Sequence, residues 1–455
     1  MEINKVKNSE LKRSLNLNIL AVTFGMVFFT IVGNPVGSAI FTGFMKKLGV
    51  GDFVYSVILA LPVLGAVSQI FGSYFLETTG KRRIMFLASG CIHRVLWIPI
   101  ALIPLFMNSH AHIAMIWIIT IMITISSIAS SVNGVSFTSW MGQLVPTNII
   151  GRFFGVRTLV FTISGAIAAI VIGIVVDRVK GISGFSIVFA VGAVFGLVDI
   201  LIFIFIKHPP MKSSVTKPSL KTIITEPFKN SNYLKFVVFA TAFSFGVNFA
   251  GPFFNVYMIE VLTMNYFIIN ISTQVMASIA TILCVRIWGN WADHYGNKPV
   301  IFISSILIII TPIVWVFATP TNYIMVFVAN ILAGIGWSGY NLALFNQSVW
   351  LAPEKNRSAY TACFTLMTST IGTAAAYLCG GLFLQVARPY FEKAHIPFIM
   401  GTTLNAFCIM FVISALLRLI AIIFFYPRYN EKDASSSLIL LHEVLKPKIK
   451  MPLKG

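Results

Sequence analysis

Gly289-Asn290-Trp291-Ala292-Asp293-His294-Tyr295-Gly296-Asn297-Lys298 is answered 216 residues upstream by Ser73-Tyr74-Phe75-Leu76-Glu77-Thr78-Thr79-Gly80-Lys81-Arg82. A small or apolar residue, an acid, a glycine and a base recur in the same register. Pro35 and Pro252 lie 217 apart, each in an apolar run where the missing backbone N–H predicts a kinked helix. Farther along, the offset falls to 207. Leu144 and Pro146 answer Leu351 and Pro353, Thr158 answers Thr365, and Gly165, Ala169 and Gly173 answer Gly372, Ala376 and Gly380. The fall in offset requires a shortening of the second copy between these landmarks, so the chain reads as two homologous halves. Small residues four apart let helices approach closely; each stripe reads as close helix packing alone, or, from its recurrence in spans 5 and 11, as one of two matching interfaces between the halves.

Composition says what the halves are made of. Of 455 residues, 57% are hydrophobic and 10% charged, with a mean hydropathy of +0.87. A soluble domain carries about 25% charged residues, so the solvent around this chain is lipid. At about 20 residues per span, apolar runs bounded by charges, Pro or Gly predict twelve spans, near 17 to 44, 52 to 76, 84 to 106, 111 to 137, 152 to 177, 185 to 206, 233 to 262, 266 to 288, 299 to 318, 322 to 349, 359 to 387 and 396 to 426. The predicted fold class is an all-α polytopic membrane protein, its twelve transmembrane helices forming two pseudo-symmetric six-helix bundles. The boundaries are an N-tail over 1–16, bundles over 17–206 and 233–426, a linker over 207–232 and a C-tail over 427–455. The first apolar run exceeds a signal-peptide core and is read as a retained span.

The net charge is +19, from 33 Lys plus Arg against 14 Asp plus Glu. Assigned to alternate sides, 25 of the 33 basic residues fall on the side of both termini, six on the other, and Arg94 and Arg418 inside spans. The positive-inside rule then places both termini in the cytoplasm, for a multi-pass protein of the plasma (inner) membrane. Topology explains the basic excess, and no nucleic-acid partner is expected.

Gly289-x-x-Ala292-Asp293-x-x-Gly296-x-Lys298 resembles the G-x-x-x-D-x-x-G-[RK]-[RK] loop signature of the major facilitator superfamily, and the first copy matches it with Ser73 for Gly and Glu77 for Asp. The six-plus-six plan extends the resemblance over nearly the whole chain. It implies a secondary active transporter working by alternating access between two bundles, not an enzyme. It also implies a conformational latch of Glu77 and Asp293 with Lys81, Arg82 and Lys298. Arg152 and Arg357, at the starts of spans 5 and 11, are plausible partners for the acids; plain orientation charges are the other reading of the loops. A carboxylate near a helix N-terminus is favoured by roughly 0.3 to 1 kcal/mol, which gives the acids a means of biasing two states.

The resemblance further implies a central cavity lined by spans 1, 4, 7 and 10. Each carries polar residues at helical spacing: Thr23, Thr30 and Asn34; Thr120, Thr124, Ser127 and Ser131; Thr241, Ser244, Asn248 and Asn255; Asn330, Gly334, Trp337 and Asn341. Hydroxyls and amides do not face lipid without cost. Asn34, Ser127, Ser131, Asn248, Asn255, Trp337 and Asn341 are the candidate substrate residues, with hydrogen bonds between helices as the other reading of any one of them. Their neutral chemistry suits a sugar, a nucleoside or a drug-like amphiphile. Arg94 and Asp199 are intramembrane charges expected to meet, as a structural pair or a proton relay. Glu260 reads as an ion-coupling carboxylate or a rim charge, and Arg418 as a snorkelling residue.

Other chemistry is weakly represented. The five cysteines form no CxxC pair and read as packing residues. His110 and His112 lack further ligands, so no metal is expected, nor a cofactor. Gly80-Lys81 lacks the remainder of a phosphate-binding loop. A stretch over Leu438 to Leu445 reads as an amphipathic surface helix or a loose tail. The expected partners are a small solute, a coupling proton or sodium ion and membrane lipid, with the protein a monomer. The competing classes are a polytopic membrane enzyme, disfavoured by scattered histidines, and a non-transporting solute sensor on the same fold.

Overall fold

A computed structural model describes residues 2–33, 37–65, 68–106, 112–146, 148–209, 220–353, 357–394, 396–398, 403–432, 434–437 and 439–441. Among them there is no β-strand, only two isolated bridges. Helix is what this composition dictates, because in hydrocarbon every backbone N–H and C=O must be satisfied within its own segment. Eleven described helices are long and apolar enough to cross a membrane: Ser9–Val32, Arg82–Phe106, His112–Leu144, Ile150–Arg178, Ile182–Phe205, Ser231–Val261, Tyr266–Tyr295, Asn297–Trp315, Ile324–Trp350, Ala359–Ala394 and Ala406–Arg428. Helices Asp52–Gly65 and Ser68–Thr79 occupy the stretch of expected span 2. These are the twelve spans, numbered in chain order, and the protein is a multi-pass membrane protein with the twelve-helix fold.

Both copies of the repeated loop turn at a glycine of positive φ. Helix Ser68–Thr79 ends at Gly80 with φ +64°, and span 8 ends at Gly296 with φ +91°. Both glycines lie in the left-handed region that other residues enter at a cost, which is the physical reason for glycine at these points. Pro252 interrupts span 7 as expected: helix Ser231–Ala250 stops, and a new turn, Phe253–Val256, begins after the proline. Pro35 lies outside the described residues.

By contacts the chain divides into two compact units that cut across the expected boundaries. One comprises Met1–Lys217, Asn248–Gln274 and Thr373–Ile396; the other comprises Pro218–Val247, Val275–Gly372 and Pro397–Gly455. The first unit thus holds the first half of the sequence together with parts of spans 7, 8 and 11. Its core includes Phe86, Trp140 and Phe203 in mutual ring contact. The second unit's core includes Tyr233, Phe236, Phe239, Tyr426 and Tyr429. The divisions in spans 8 and 11 fall within π-helical segments, Ile271–Met276 and Thr370–Ala375. A π segment widens the turn and weakens the regular ladder, and it commonly marks a functional bend.

Candidate functional site

The first unit carries an ionic cluster drawn from four places in the chain. Lys46 ends helix Ala39–Lys47, Asp52 opens the next helix, Glu260 lies in the π turn Tyr257–Val261, and Arg388 precedes Pro389 in span 11. Arg388 donates to Asp52 at 3.1 Å, to Glu260 at 2.6 Å and to Glu392 at 3.1 Å. Lys46 pairs with Asp52 and reaches Glu260 at 3.5 Å. Glu260 is therefore a paired charge at the end of span 7. The cluster ties helix Ala39–Lys47 and span 2 of the first repeat to spans 7 and 11 of the second.

A second contact between the repeats lies beside it. Asp177, near the end of span 5, accepts from the backbone N–H groups of Tyr266 and Phe267 at 2.9 Å each. These are unpaired donors of the first turn of span 8, so the carboxylate caps it and faces the positive end of its dipole. Four residues back, a Cβ at Gly173 would stand 2.8 Å from Phe267 Cα. Another turn back, Ala169 O accepts from Asn270 at 2.7 Å. Ala169 and Gly173 of the span 5 stripe meet span 8, while Gly165 meets Met26 of span 1. The matching stripe of span 11 differs: Gly372 meets Ser244 and Gly380 meets Phe249 O, both on span 7, while Gly381 meets Ser56 on span 2.

Deeper in the same unit, Arg94 of span 3 donates to Asp199 of span 6 at 3.0 Å. The Arg94 stem lies against Gly196 and the Asp199 carboxylate against Gly25, where a Cβ would approach to 2.8 and 2.9 Å respectively. The Phe28 ring lies 5.4 Å from the guanidinium carbon. His93 beside it is buried. Ser126 gives its one proton to His93 O and accepts from Trp97 Nε1, so the His93 Nδ1 contact at 2.7 Å requires the imidazole to donate. Arg94 and Asp199 line a cavity of about 290 Å³ together with Arg157 of span 5, Ser130 and Asn133 of span 4, and phenylalanines including Phe29, Phe137 and Phe161.

The other candidate residues are placed separately. Ser127 donates to Ile123 O and Ser131 is half-buried on span 4. Asn248 donates to Thr373 at 3.2 Å, and Asn255 is buried in the turn after Pro252. Trp337 meets Tyr340 edge to face and Asn341 is exposed, both in the second unit. Asn34 lies outside the described residues, as do the side chains of Glu77 and Arg357 and the residue His110. His112 contacts Leu48 O. Of Leu438 to Leu445, only 439–441 is described, and it is helical.

Two of the loop bases, Arg82 and Lys298, are held by local partners. Arg82 is fully buried and donates to Ser139 O at 3.1 Å, to Gln143 at 2.9 Å and to Pro209 O at 2.7 Å. Lys81, Arg152 and Asp293 are exposed, and no described basic side chain pairs with Asp293. Lys298 donates from its side chain to Tyr429 O and stands over the rings of Tyr426 and Tyr429. Its backbone N–H, with that of Asn297, is capped by Glu431 at 2.6 and 3.0 Å. The buried Gln347 amide, oriented by its surroundings, also donates to Glu431, at 3.1 and 3.2 Å.

Arg418 corrects the snorkelling expectation. It is buried and donates to Ile308 O at 2.6 Å and to Ser414 at 2.9 Å. Proline at position 312 of the same helix as Ile308 has no N–H for the carbonyl four residues earlier. The guanidinium fills that vacancy, which is why it stays inside.

Arg157, Asp177, Glu431 and the Lys46–Asp52–Arg388 group escaped the sequence reading. In the sequence Arg157 reads as one of the basic residues on the side of both termini, like Arg152. Asp177 and Glu431 acquire their roles from helix ends distant in sequence.

A family model described as Major Facilitator Superfamily matches residues 17–377 and again 271–454. Among solved structures, the nucleoside transporter NupG, in a point-mutant form, superposes with a TM-score of 0.71 at 16% identity, over 91% of this chain and 100% of that one. A bacterial homolog of the human lysosomal transporter Spinster, inward-facing and occupied, gives 0.69 at 14% identity over 94% and 99%. The xylose transporter XylE from E. coli, inward open, gives 0.64 at 13% over 93% and 98%. No curated protein sequence matches this chain.

Proposed function

The chain belongs to the major facilitator superfamily, and on that premise we propose that it is a secondary active transporter moving a small organic solute, largely neutral or amphiphilic, by alternating access. The observation that carries this reading is the ionic cluster of Lys46, Asp52, Glu260 and Arg388. It joins spans of different repeats through a few polar contacts at one end of the first unit. The Arg388–Glu260 pair is half-buried and the Lys46–Asp52 pair largely buried; in this reading the half-buried contacts exchange for water at small net cost and let the closure open, whereas an extended apolar interface would hold fast. The π segments in spans 8 and 11 supply bending points behind it. Parallel six-span repeats moving about a midplane site are one way membrane transporters alternate.

In this reading both termini are cytoplasmic in the plasma membrane, and the cluster together with the Asp177 cap forms the external gate. Glu77 and Asp293, with Lys81, Arg82, Lys298, Arg152 and Arg357, act on the cytoplasmic side as the latch. Asn34, Ser127, Ser131, Asn248, Asn255, Trp337 and Asn341 supply solute contacts, and a proton or sodium ion couples the cycle. The solutes named for NupG and XylE, nucleosides and xylose, are the first to test. Counterflow of labelled nucleosides, sugars and aromatic amphiphiles into proteoliposomes tests the proposal. Saturable counterflow supports it; binding without movement under any gradient replaces it with the sensor.

A further inference from the structure

The cavity at Arg94 is not neutral. Four titratable side chains line it: Arg94, Arg157, Asp199 and His93. His93 is engaged with Ser126, leaving two guanidiniums against one carboxylate. Arg94 spends its charge on Asp199. Arg157 is half-buried, donates from Nε to Asn18 at 3.2 Å and lies over the Phe137 ring at 4.8 Å. Those contacts leave both of its Nη groups without a described acceptor. Arg94 Nε is also buried without a partner. A guanidinium among phenylalanines is costly unless an anion meets it, and its planar fork fits a carboxylate bidentately.

We propose that this cavity binds the carboxylate of an aromatic or similarly apolar organic monoanion, with Arg157 as its main partner and Asp199 as an internal competitor for the same pair of arginines. One excess positive charge selects a monoanion. Phe29, Phe137 and Phe161 receive the apolar body, and Ser130 offers a hydroxyl at the wall. A volume of about 290 Å³ suits a ligand of benzoate size. The proposal deepens the transporter reading by giving the amphiphile a negative head, and it rests on that reading only for the claim that the anion is moved.

Benzoate and its neutral isostere benzamide are the probes, titrated against the purified full chain in detergent. The wild type is expected to bind benzoate about tenfold or more tighter than benzamide, and Arg157→Gln to lose that preference while Arg157→Lys keeps part of it. Asp199→Asn is expected to raise benzoate affinity several-fold, because the competing carboxylate has become neutral. A merely structural Asp199 gives the opposite sign. Equal binding of benzoate and benzamide by the wild type overturns the proposal without recourse to any variant, as does inorganic phosphate displacing benzoate at equal concentration. An unchanged benzoate preference in Arg157→Gln, or weaker binding in Asp199→Asn, overturns it as well. Counterflow separates the two readings. A neutral solute carried while benzoate is ignored removes this site and leaves the transporter standing; benzoate bound with the Asp199→Asn gain but never moved does the reverse.

Discussion

Asp177 accepts the backbone N–H of Tyr266 at 2.9 Å, so a carboxylate near the end of span 5 caps the first turn of span 8, 89 residues away in sequence. With Phe267 N–H on its other oxygen, one side chain satisfies two orphan donors and holds two repeats together. Asp177→Ala removes both acceptors, and loss of a cap costs about 0.5 to 2 kcal/mol. Spin labels at Lys180→Cys and Thr263→Cys should then report a longer distance population growing at the expense of the short one. An unaltered distance distribution would remove Asp177 from the gate.

Arg388 serves three carboxylates at once. Arg388→Gln leaves Lys46 alone against Asp52, Glu260 and Glu392, a cost between that of an exposed pair, about 0 to 1 kcal/mol, and a broken buried one, about 3 to 5. Counterflow should fall by about tenfold if closure of this gate is part of the cycle. Adding Asp52→Asn and Glu260→Gln to the same chain should restore part of the rate. A triple variant no faster than Arg388→Gln would show that charge balance is not the cause.

The two loop glycines should respond unequally. A side chain at either positive-φ position costs about 1 to 3 kcal/mol. A Cβ at Gly80 meets nothing within 4 Å, whereas at Gly296 it stands 2.9 Å from Ala434 Cβ and 3.3 Å from Glu431 Oε2. Gly296→Ala should therefore lower the thermal midpoint more than Gly80→Ala. Equal midpoints would mean that the Glu431 segment yields freely.

His208 lies past the end of span 6, and burial, followed by the nearby Arg82 and Arg83 charges, lowers its pKa below the ordinary 6.5. A histidine whose folded pKa is depressed binds more protons unfolded, so stability is full above pH 6.5 and declines as pH falls toward the folded pKa. Between pH 7 and pH 5, roughly the range in which histidine titrates, His208→Gln should lose less thermal stability than the wild type. Parallel pH profiles for the two proteins would assign the acid sensitivity elsewhere.

Arg418 and Pro312 should be coupled. Arg418→Met leaves Ile308 O unsatisfied, costing about 1 to 3 kcal/mol, while Pro312→Ala restores the backbone donor that carbonyl lacks. The cost of Arg418→Met should shrink in the Pro312→Ala background, measured as a double-mutant cycle on thermal unfolding. Simple additivity would break the link.

Much of the fold was legible because lipid imposes it. The apolar runs became helices, the repeated glycines took left-handed turns, and Pro252 broke span 7 where its missing N–H required. Arg94 and Asp199 could be paired on paper because unpaired charges at that depth are expensive, and they lie 3.0 Å apart. Arg157 could not be singled out, since sequence alone gives it the same standing as Arg152; one lines the cavity and the other is exposed. Lys46, Asp52, Glu260 and Arg388 are each ordinary end-of-helix charges in the sequence, and only their convergence makes a site.

The sequence by itself determined the solvent, the twelve spans, the duplication and the family, because hydropathy, glycine and proline act locally and need no partner to take effect. Beyond Arg94 and Asp199, tertiary structure decided which charges meet. Coulomb and hydrogen-bond terms act over a few ångströms, and the chain brings Arg388 to Glu260, Glu431 to Lys298 N–H and Arg157 to the cavity wall only after the helices have packed.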